Sequence, residues 1–248
     1  MANRTIIITG GASGIGRATA MKFAKEGDQV VIADSNEAGG KETVGAIRQS
    51  GGEAVFIQTD VSKFGEVESL VEKTVDQFGT LDVMFNNAGI GGRKHLLDYD
   101  LADYERVIGV NQNGVFYGML AAGRKMRDLE VKGVIINTAS VFGYLASKGT
   151  FAYQASKGAV RMMTQTGALE LSRYGIRVVG VAPGSVDTPI IQGYKDAGME
   201  DYMKAQQMRG ELIQPEAIAD AVYLLSLKEA DAVNGSVVML DDGYASFK

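Results

Sequence analysis

Short runs rich in Val and Ile alternate with helix-periodic segments along the whole 248-residue chain, and this alternation restricts the fold more than any other feature. The apolar runs cover residues 5–9, 29–34, 54–60, 83–86, 133–138, 177–182 and 236–240. Helical periodicity covers 14–26, 38–50, 63–78, 101–129, 151–173 and 215–227. Strands this short and this continuously apolar suit a parallel sheet buried on both faces. Strand and helix in turn predict an α/β fold, one doubly wound parallel sheet with helices on both faces. No repeat, low-complexity tract or linker interrupts the pattern, so residues 1–248 are expected to form a single domain.

Ligands of such sheets collect beyond the carboxyl ends of the strands. Thr9-Gly10-Gly11-Ala12-Ser13-Gly14-Ile15-Gly16 joins the first strand to the first helix. Small residues there let the backbone approach a pyrophosphate, and the helix N-terminus adds amides and positive dipole. The spacing is not the common G-x-G-x-x-G, so a glycine-rich turn without a ligand is the alternative. Asp34 ends the second strand, twenty residues after Gly14. A carboxylate there accepts hydrogen bonds from a ribose diol and repels a 2′-phosphate. Ser35-Asn36-Glu37 offers no arginine to such a phosphate, which indicates NAD rather than NADP; Arg17 is the one basic residue close by.

Asp60-Val61 closes the third run, where the carboxylate can bond an adenine amino group or cap the next helix, a task open to Ser62 as well. Asn86-Asn87-Ala88-Gly89 follows the fourth, and its asparagines either touch a ribose or fix neighbouring loops. Ser140 follows the fifth, as a turn residue or as a hydroxyl that holds a substrate oxygen. After Pro183-Gly184 the chain runs irregularly over 185–213, long enough to be a lid. Met199, Met203, Met208, Tyr194 and Tyr202 make that segment apolar and adaptable, whether as a binding surface or as packing against the body. Lys195, Lys204 and Arg209 are its cations available to a charged group.

Tyr153 and Lys157 lie four apart in a helical run, on one face. A phenol titrates near 10 and is a poor base by itself. An ammonium about 5 Å away, at an effective dielectric of about 20, is worth roughly 3 kcal/mol. That is enough to bring the phenol toward neutrality, where it can trade protons with an alcohol or ketone. Such a pair occurs by chance on many helices, and taken alone it reads first as a half-buried tyrosine beside a solvated lysine.

The formal net charge of −5 predicts no basic face, hence no nucleic-acid partner. Cysteine is absent, which removes disulfides and thiolate metal sites and fits a reducing cytoplasm. The single histidine, His95, excludes a multi-histidine metal site and opposes a Ser-His-Asp triad; it is expected in a surface loop or at the substrate rim. No signal segment opens the chain and no apolar stretch is long enough for a bilayer, so no membrane partner is expected.

Thr9-Gly-x-x-x-Gly14-Ile-Gly16, Asn86-Asn-Ala-Gly89, Asn111, Ser140, Tyr153-x-x-x-Lys157 and Pro183-Gly184 resemble, in order and spacing, the classical short-chain dehydrogenases/reductases. The resemblance implies a Rossmann-type sheet of order 3-2-1-4-5-6-7. It implies Tyr153 as general acid and base, Ser140 as the group that orients and polarises the substrate oxygen, and Lys157 as the residue that lowers the tyrosine pKa and holds the nicotinamide ribose. Asn111 would hold a water that passes protons to solvent. The dinucleotide would lie on Gly10, Ser13, Gly14, Ile15 and Gly16, with Asp34, Asp60 and Val61 toward its adenosine. Asn87, Ala88, Gly89, Thr138, Pro183, Gly184 and Val186 would line the rest, and Thr188 would contact the carboxamide. The family is usually tetrameric through the helices of 101–129 and 151–173; Met119, Met126, Met162 and Met163 fall there or in the core. Two departures are Thr138-Ala139 before the serine and Leu240-Asp-Asp-Gly-Tyr244, where relatives often read Asp-Gly-Gly.

The expected activity is NAD(H)-dependent interconversion of a secondary alcohol and a ketone, with no bound metal. A 3-oxoacyl-carrier-protein reductase matches the same catalytic residues, but those relatives usually use NADPH. A non-catalytic dinucleotide sensor is the third reading, opposed by the intact set of four catalytic residues.

Overall fold

The computed structural model describes residues 4–247. Its elements run β1 (Thr5–Thr9), α1 (Gly14–Lys25), β2 (Gln29–Asp34), α2 (Glu37–Gln49), β3 (Glu53–Gln58), α3 (Phe64–Phe78), β4 (Val83–Asn86), α4 (Leu101–Ile108), α5 (Gly114–Asp128), β5 (Val134–Thr138), α6 (Phe151–Leu171), β6 (Arg177–Pro183), α7 (Gln192–Asp196), α8 (Glu200–Lys204), α9 (Pro215–Ser226) and β7 (Val237–Leu240). The seven strands form one parallel sheet of order β3-β2-β1-β4-β5-β6-β7.

Successive side chains of a strand face opposite sides of a sheet. Ile6 and Ile8 accordingly enter one core with Phe23 of α1, Ile47 of α2 and Val222 of α9. Ile7 enters the other with Leu70 of α3, Met126 of α5 and Ala168 of α6. With both faces covered, β1, β4 and β5 are buried throughout. Helix ends follow local chemistry: Asn36 accepts the Gly39 amide at the start of α2, and Gly79, at φ 77°, closes α3 in the left-handed region that glycine alone enters freely.

The continuous helix expected over 101–129 is two helices joined by a π-helical turn, Gly109–Asn113, that contains Asn111. The run expected over 54–60 ends at Gln58, so Asp60 and Val61 lie in the following turn. The last helix turn expected before Arg173 is 3-10 rather than α. Segment 185–213 is irregular only in part: it contains a 3-10 turn, Pro189–Ile191, and the short helices α7 and α8, with turns and bends elsewhere. Met126 is fully buried, Met119 and Met163 pack against the core, and Met162 is exposed. Among the described residues no helix is long and apolar enough to cross a membrane.

Candidate active site

The strand order reverses between β1 and β4, and the chain leaving both strands there is tied together. Thr9 Oγ1 accepts the amides of Asn87 (2.9 Å) and Ala88 (3.1 Å), while Asn87 Nδ2 donates to Thr9 O at 3.0 Å. Asn86 Nδ2 donates to Asn137 Oδ1 at 2.9 Å. Asn87 thus fixes the glycine turn after β1, while Asn86 ties β4 to β5. Gly10, at φ 68°, packs so closely that a Cβ would lie 2.9 Å from Ala88 Cα, and a Cβ on Gly16 would meet Gly10 O at 2.1 Å. A side chain fits at neither glycine. Ser13 precedes α1 with extended backbone, and its hydroxyl makes no cap hydrogen bond.

Asp34 ends β2, its Oδ2 accepting the Ala12 amide at 3.0 Å and its Oδ1 the Asn36 amide at 2.9 Å. Arg17, the cation that could have favoured a 2′-phosphate, is bound by Glu42 at 2.8 Å. Asp60 Oδ1 accepts both the amide and the hydroxyl of Ser62, and these bonds hold it below the ordinary carboxylate range; neither residue caps α3, whose N-cap is Lys63. Val61 packs beneath Gly114, where a Cβ would meet its Cγ2 at 2.9 Å.

Ser140 and Tyr153 are brought together from β5 and α6. Ser140 Oγ accepts the Phe142 amide at 3.2 Å and shares a hydrogen bond with the Tyr153 phenol. The small residues Ala152, Ser156, Thr164 and Ala168, with Lys157, make the buried stripe that lets α6 approach the sheet. Lys157 is 3% exposed; its Nζ donates to Thr138 O at 2.7 Å and lies 5.7 Å from the Tyr153 ring centroid. The expected acidification of the phenol is not what this arrangement produces. Burial pushes Tyr153 above its ordinary 10, the Ser140 hydrogen bond pulls it partly back, and the neighbouring Tyr194 hydroxyl raises it. Burial also brings Lys157 down to about 8. Spacing put the ammonium on the right face, but desolvation of the phenolate outweighs its attraction.

Asn111, fully buried on the π-helical turn, grips Ile90 at both backbone atoms: Nδ2 donates to Ile90 O at 2.9 Å and Oδ1 accepts the Ile90 amide at 2.8 Å. Gly89 sits where Asn111 and Lys157 converge, since a Cβ there would lie 3.5 Å from Asn111 Oδ1 and 3.8 Å from Lys157 Nζ. Across the cleft, Thr188 closes over the glycine turn, its Cγ2 3.1 Å from the Cβ position of Gly14. Val186 pairs with Ile213, and the Ser185 amide donates to Gln207 Oε1 at 3.1 Å. Gln207, buried against Gly184, is a positioning residue that no sequence signal marked. In the second departure, Leu240-Asp-Asp-Gly-Tyr244, Asp242 stands at φ 48° and binds Arg209 at 2.9 Å, joining the end of the 185–213 segment to the chain after β7. Lys195 is likewise bound by Asp187 and Lys204 by Glu200, each at 2.7 Å. The three cations expected to meet a charged group are thus paired within the protein. His95 is exposed in the loop after Arg93. Among the described residues no cluster of His, Cys, Asp or Glu could hold a metal ion.

A family model described as enoyl-(acyl carrier protein) reductase matches residues 10–245. The cis-4-hydroxycyclohexanecarboxylate dehydrogenase of Sinomonas cyclohexanicum is 36% identical, over 99% of this chain and 98% of its own. The cyclohexanol dehydrogenase of Acinetobacter sp. (strain SE19) is also 36% identical, over 98% and 96%. The crystal structure of a short-chain type dehydrogenase/reductase from Mycobacterium marinum superposes with a TM-score of 0.94 at 29% identity, covering 98% of this chain and 96% of that one. A bare glycine turn, a hydroxyl–phenol–ammonium group at the sheet's carboxyl edge and likeness over almost the full length agree, and the chain belongs to the short-chain dehydrogenase/reductase family of oxidoreductases, whose members bind nicotinamide dinucleotides.

Proposed function

We infer that this protein uses NAD(H) to interconvert a secondary alcohol on a small ring and the corresponding ketone, with Tyr153 as general acid and base. The hydrogen-bonded Ser140–Tyr153 pair beside Lys157 is the observation that carries the reading. Names of relatives favour the ring alcohol, since two proteins at 36% identity are dehydrogenases of cyclohexanol and of a hydroxycyclohexanecarboxylate.

The residues suit a dinucleotide. Gly10, Gly14 and Gly16, with the first amides of α1 and the Ser13 hydroxyl, form a turn a pyrophosphate can approach, Ile15 lying just inside the helix. Asp34, fixed at both oxygens, faces the ribose position, and Arg17 is engaged by Glu42; both support NAD over NADP. Asp60 and Val61 are assigned to the adenine end, Asn87, Ala88 and Thr138 to the cleft floor, and Pro183, Gly184, Val186 and Thr188 to the carboxamide. A bound nicotinamide supplies the hydride acceptor for the alcohol, or the donor for the ketone.

Ser140, oriented by the Phe142 amide, holds the substrate oxygen against Tyr153. The phenol is protonated at neutral pH and gives its proton to a ketone oxygen; in the other direction it takes the hydroxyl proton. Lys157 sets the local charge from beneath, and Asn111 holds the Ile90 backbone that shapes the path toward solvent. Segment 185–213 acts as the lid. Homotetramer formation belongs to the same reading, with Phe116 of α5 and Met162 and Leu169 of α6 exposed, as does a cytoplasmic location.

Cyclohexanol supplied with NAD or with NADP, followed by formation of the reduced dinucleotide, tests this. Turnover at least about tenfold better with NAD is expected. Confirmed dinucleotide binding with every ring alcohol inert would contradict it. Reduction of acyl-carrier-protein substrates is the second reading, favoured by the description of the matching family model and opposed by Asp34.

A further inference from the structure

Arg93 leaves the site on the loop that begins at Gly89, beside Lys157 and Asn111. Four residues of chain span at most about 14 Å, and an arginine side chain can return over much of that. Its guanidinium carbon lies 5.2 Å from the centroid of the Tyr194 ring, and its Nη1 is 3.4 Å from Met199 Sδ. Its stem lies against Gly149, where a Cβ would be 3.7 Å from Arg93 Cγ. The side chain is therefore laid against α7 and the residue before α8 while its charge stays exposed to solvent.

Tyr194 ties this position to the reacting group. Its hydroxyl is close enough to Tyr153 to act on the phenol electrostatically, and Arg93 in turn acts on Tyr194.

The charge on Arg93 is what sets it apart. Lys195, Lys204 and Arg209 each have a carboxylate at 2.9 Å or less. Arg93 has no carboxylate within ion-pair distance among the described residues. With Nη1 turned to Met199 Sδ, a planar guanidinium held on an aromatic face still offers Nε and Nη2 to a bidentate partner. With Tyr153 and Ser140 at one end, the apolar walls of Phe142, Tyr194 and Tyr244 between, and this cation at the other, the site matches a molecule with a hydroxyl and an anion on opposite sides of a compact apolar body.

The geometry points to Arg93 as the anion-binding residue of the substrate site, which selects ring alcohols and ketones bearing a carboxylate across the ring from the reacting carbon. The inference rests on the alcohol–ketone reading above and gives its substrate a charge.

The test compares hydroxycyclohexane carboxylates, 3- and 4-substituted, with their primary carboxamides, which have the same shape and no charge. In the unaltered protein kcat/KM for the better acid exceeds that for its amide by about tenfold or more, chiefly through KM, because the contact forms on binding rather than at the transition state. The excess shrinks as salt is raised from low to about 0.5 M, because the cation is at the surface. Arg93→Met brings the acid-to-amide ratio to about one, and Arg93→Lys, which keeps the charge without the stacked fork, leaves an intermediate ratio. Equal use of acid and amide by the unaltered protein would overturn the inference. So would a fall of both substrates together in Arg93→Met, the mark of a merely structural loop residue. In both cases cyclohexanol oxidation by the unaltered protein persists and the alcohol–ketone reading stands; if the unaltered protein leaves cyclohexanol inert as well, it is that reading that fails, and this inference with it.

Discussion

Asp34 Oδ2 accepts the Ala12 amide at 3.0 Å, which binds the carboxylate at the end of β2 to the glycine turn in front of it. With Arg17 taken by Glu42, nothing on this side of the turn welcomes a 2′-phosphate. The double change Asp34→Ala, Ser35→Arg is expected to raise the NADP-to-NAD ratio of kcat/KM by on the order of 100-fold, since it removes a repulsion and adds a charged donor. An unaltered ratio would remove Asp34 from cofactor selection.

Ser140 lowers the Tyr153 phenol by hydrogen bonding, against the larger effect of burial. Ser140→Ala should therefore do two things. Turnover drops by about 10² to 10³, the loss typical of one polarising donor. The basic limb of the kcat/KM profile moves to higher pH, because the phenol loses the bond that favoured its ionised form. A fall in rate with an unmoved profile would show that Ser140 touches only substrate.

Lys157 is lowered by burial from 10.5 to about 8. Between about 8 and 10.5 the unfolded chain carries a proton at this position that the native chain lacks, so stability rises with pH across that window. Below about 8 both states bind the proton, and the native state carries the full desolvation penalty. Lys157→Met is expected to abolish turnover yet stabilise the fold at pH 7 by on the order of 1–2 kcal/mol, the lost bond to Thr138 O offsetting part of the gain. That advantage fades by about pH 10. Denaturant titrations at both pH values decide it, and a destabilised variant at pH 7 would mean the ammonium is better solvated than its burial implies.

Asn111 closes two hydrogen bonds on Ile90 from a fully buried position. Asn111→Ala leaves both backbone groups without this partner and should cost about 2–4 kcal/mol. For a chain of this size that is a fall in Tm of very roughly 5–15 °C. A Tm within about 1 °C of the parent would show that solvent replaces the side chain at no loss.

The sheet was legible because burial on both faces forces continuous Val and Ile runs, such as Ile6-Ile7-Ile8, that little else produces. The glycine turn after β1 was legible because Gly10 and Gly16 sit where a Cβ would strike backbone. The break at Gly109–Asn113 was not, since one extra residue in a turn leaves the apolar period of 101–129 almost unchanged. Spacing placed Tyr153 and Lys157 on one face, but a dielectric depends on everything packed around it, so the sign of the phenol's shift was beyond reach. The Glu200–Lys204 pair follows from i,i+4 spacing, whereas Asp187–Lys195 and Arg209–Asp242 depend on where the 185–213 segment comes to rest. Arg93, in a glycine-rich loop with no periodicity, carried no signal at all.

The most direct measurement is turnover of Tyr153→Phe beside its dinucleotide affinity, read by fluorescence of bound NADH. The substitution removes one oxygen and keeps the ring that packs near Phe142. The expected result is a loss of kcat of at least about 10³-fold with NADH affinity changed by less than about threefold. Turnover within about tenfold of the parent would contradict Tyr153 as the proton-transferring group.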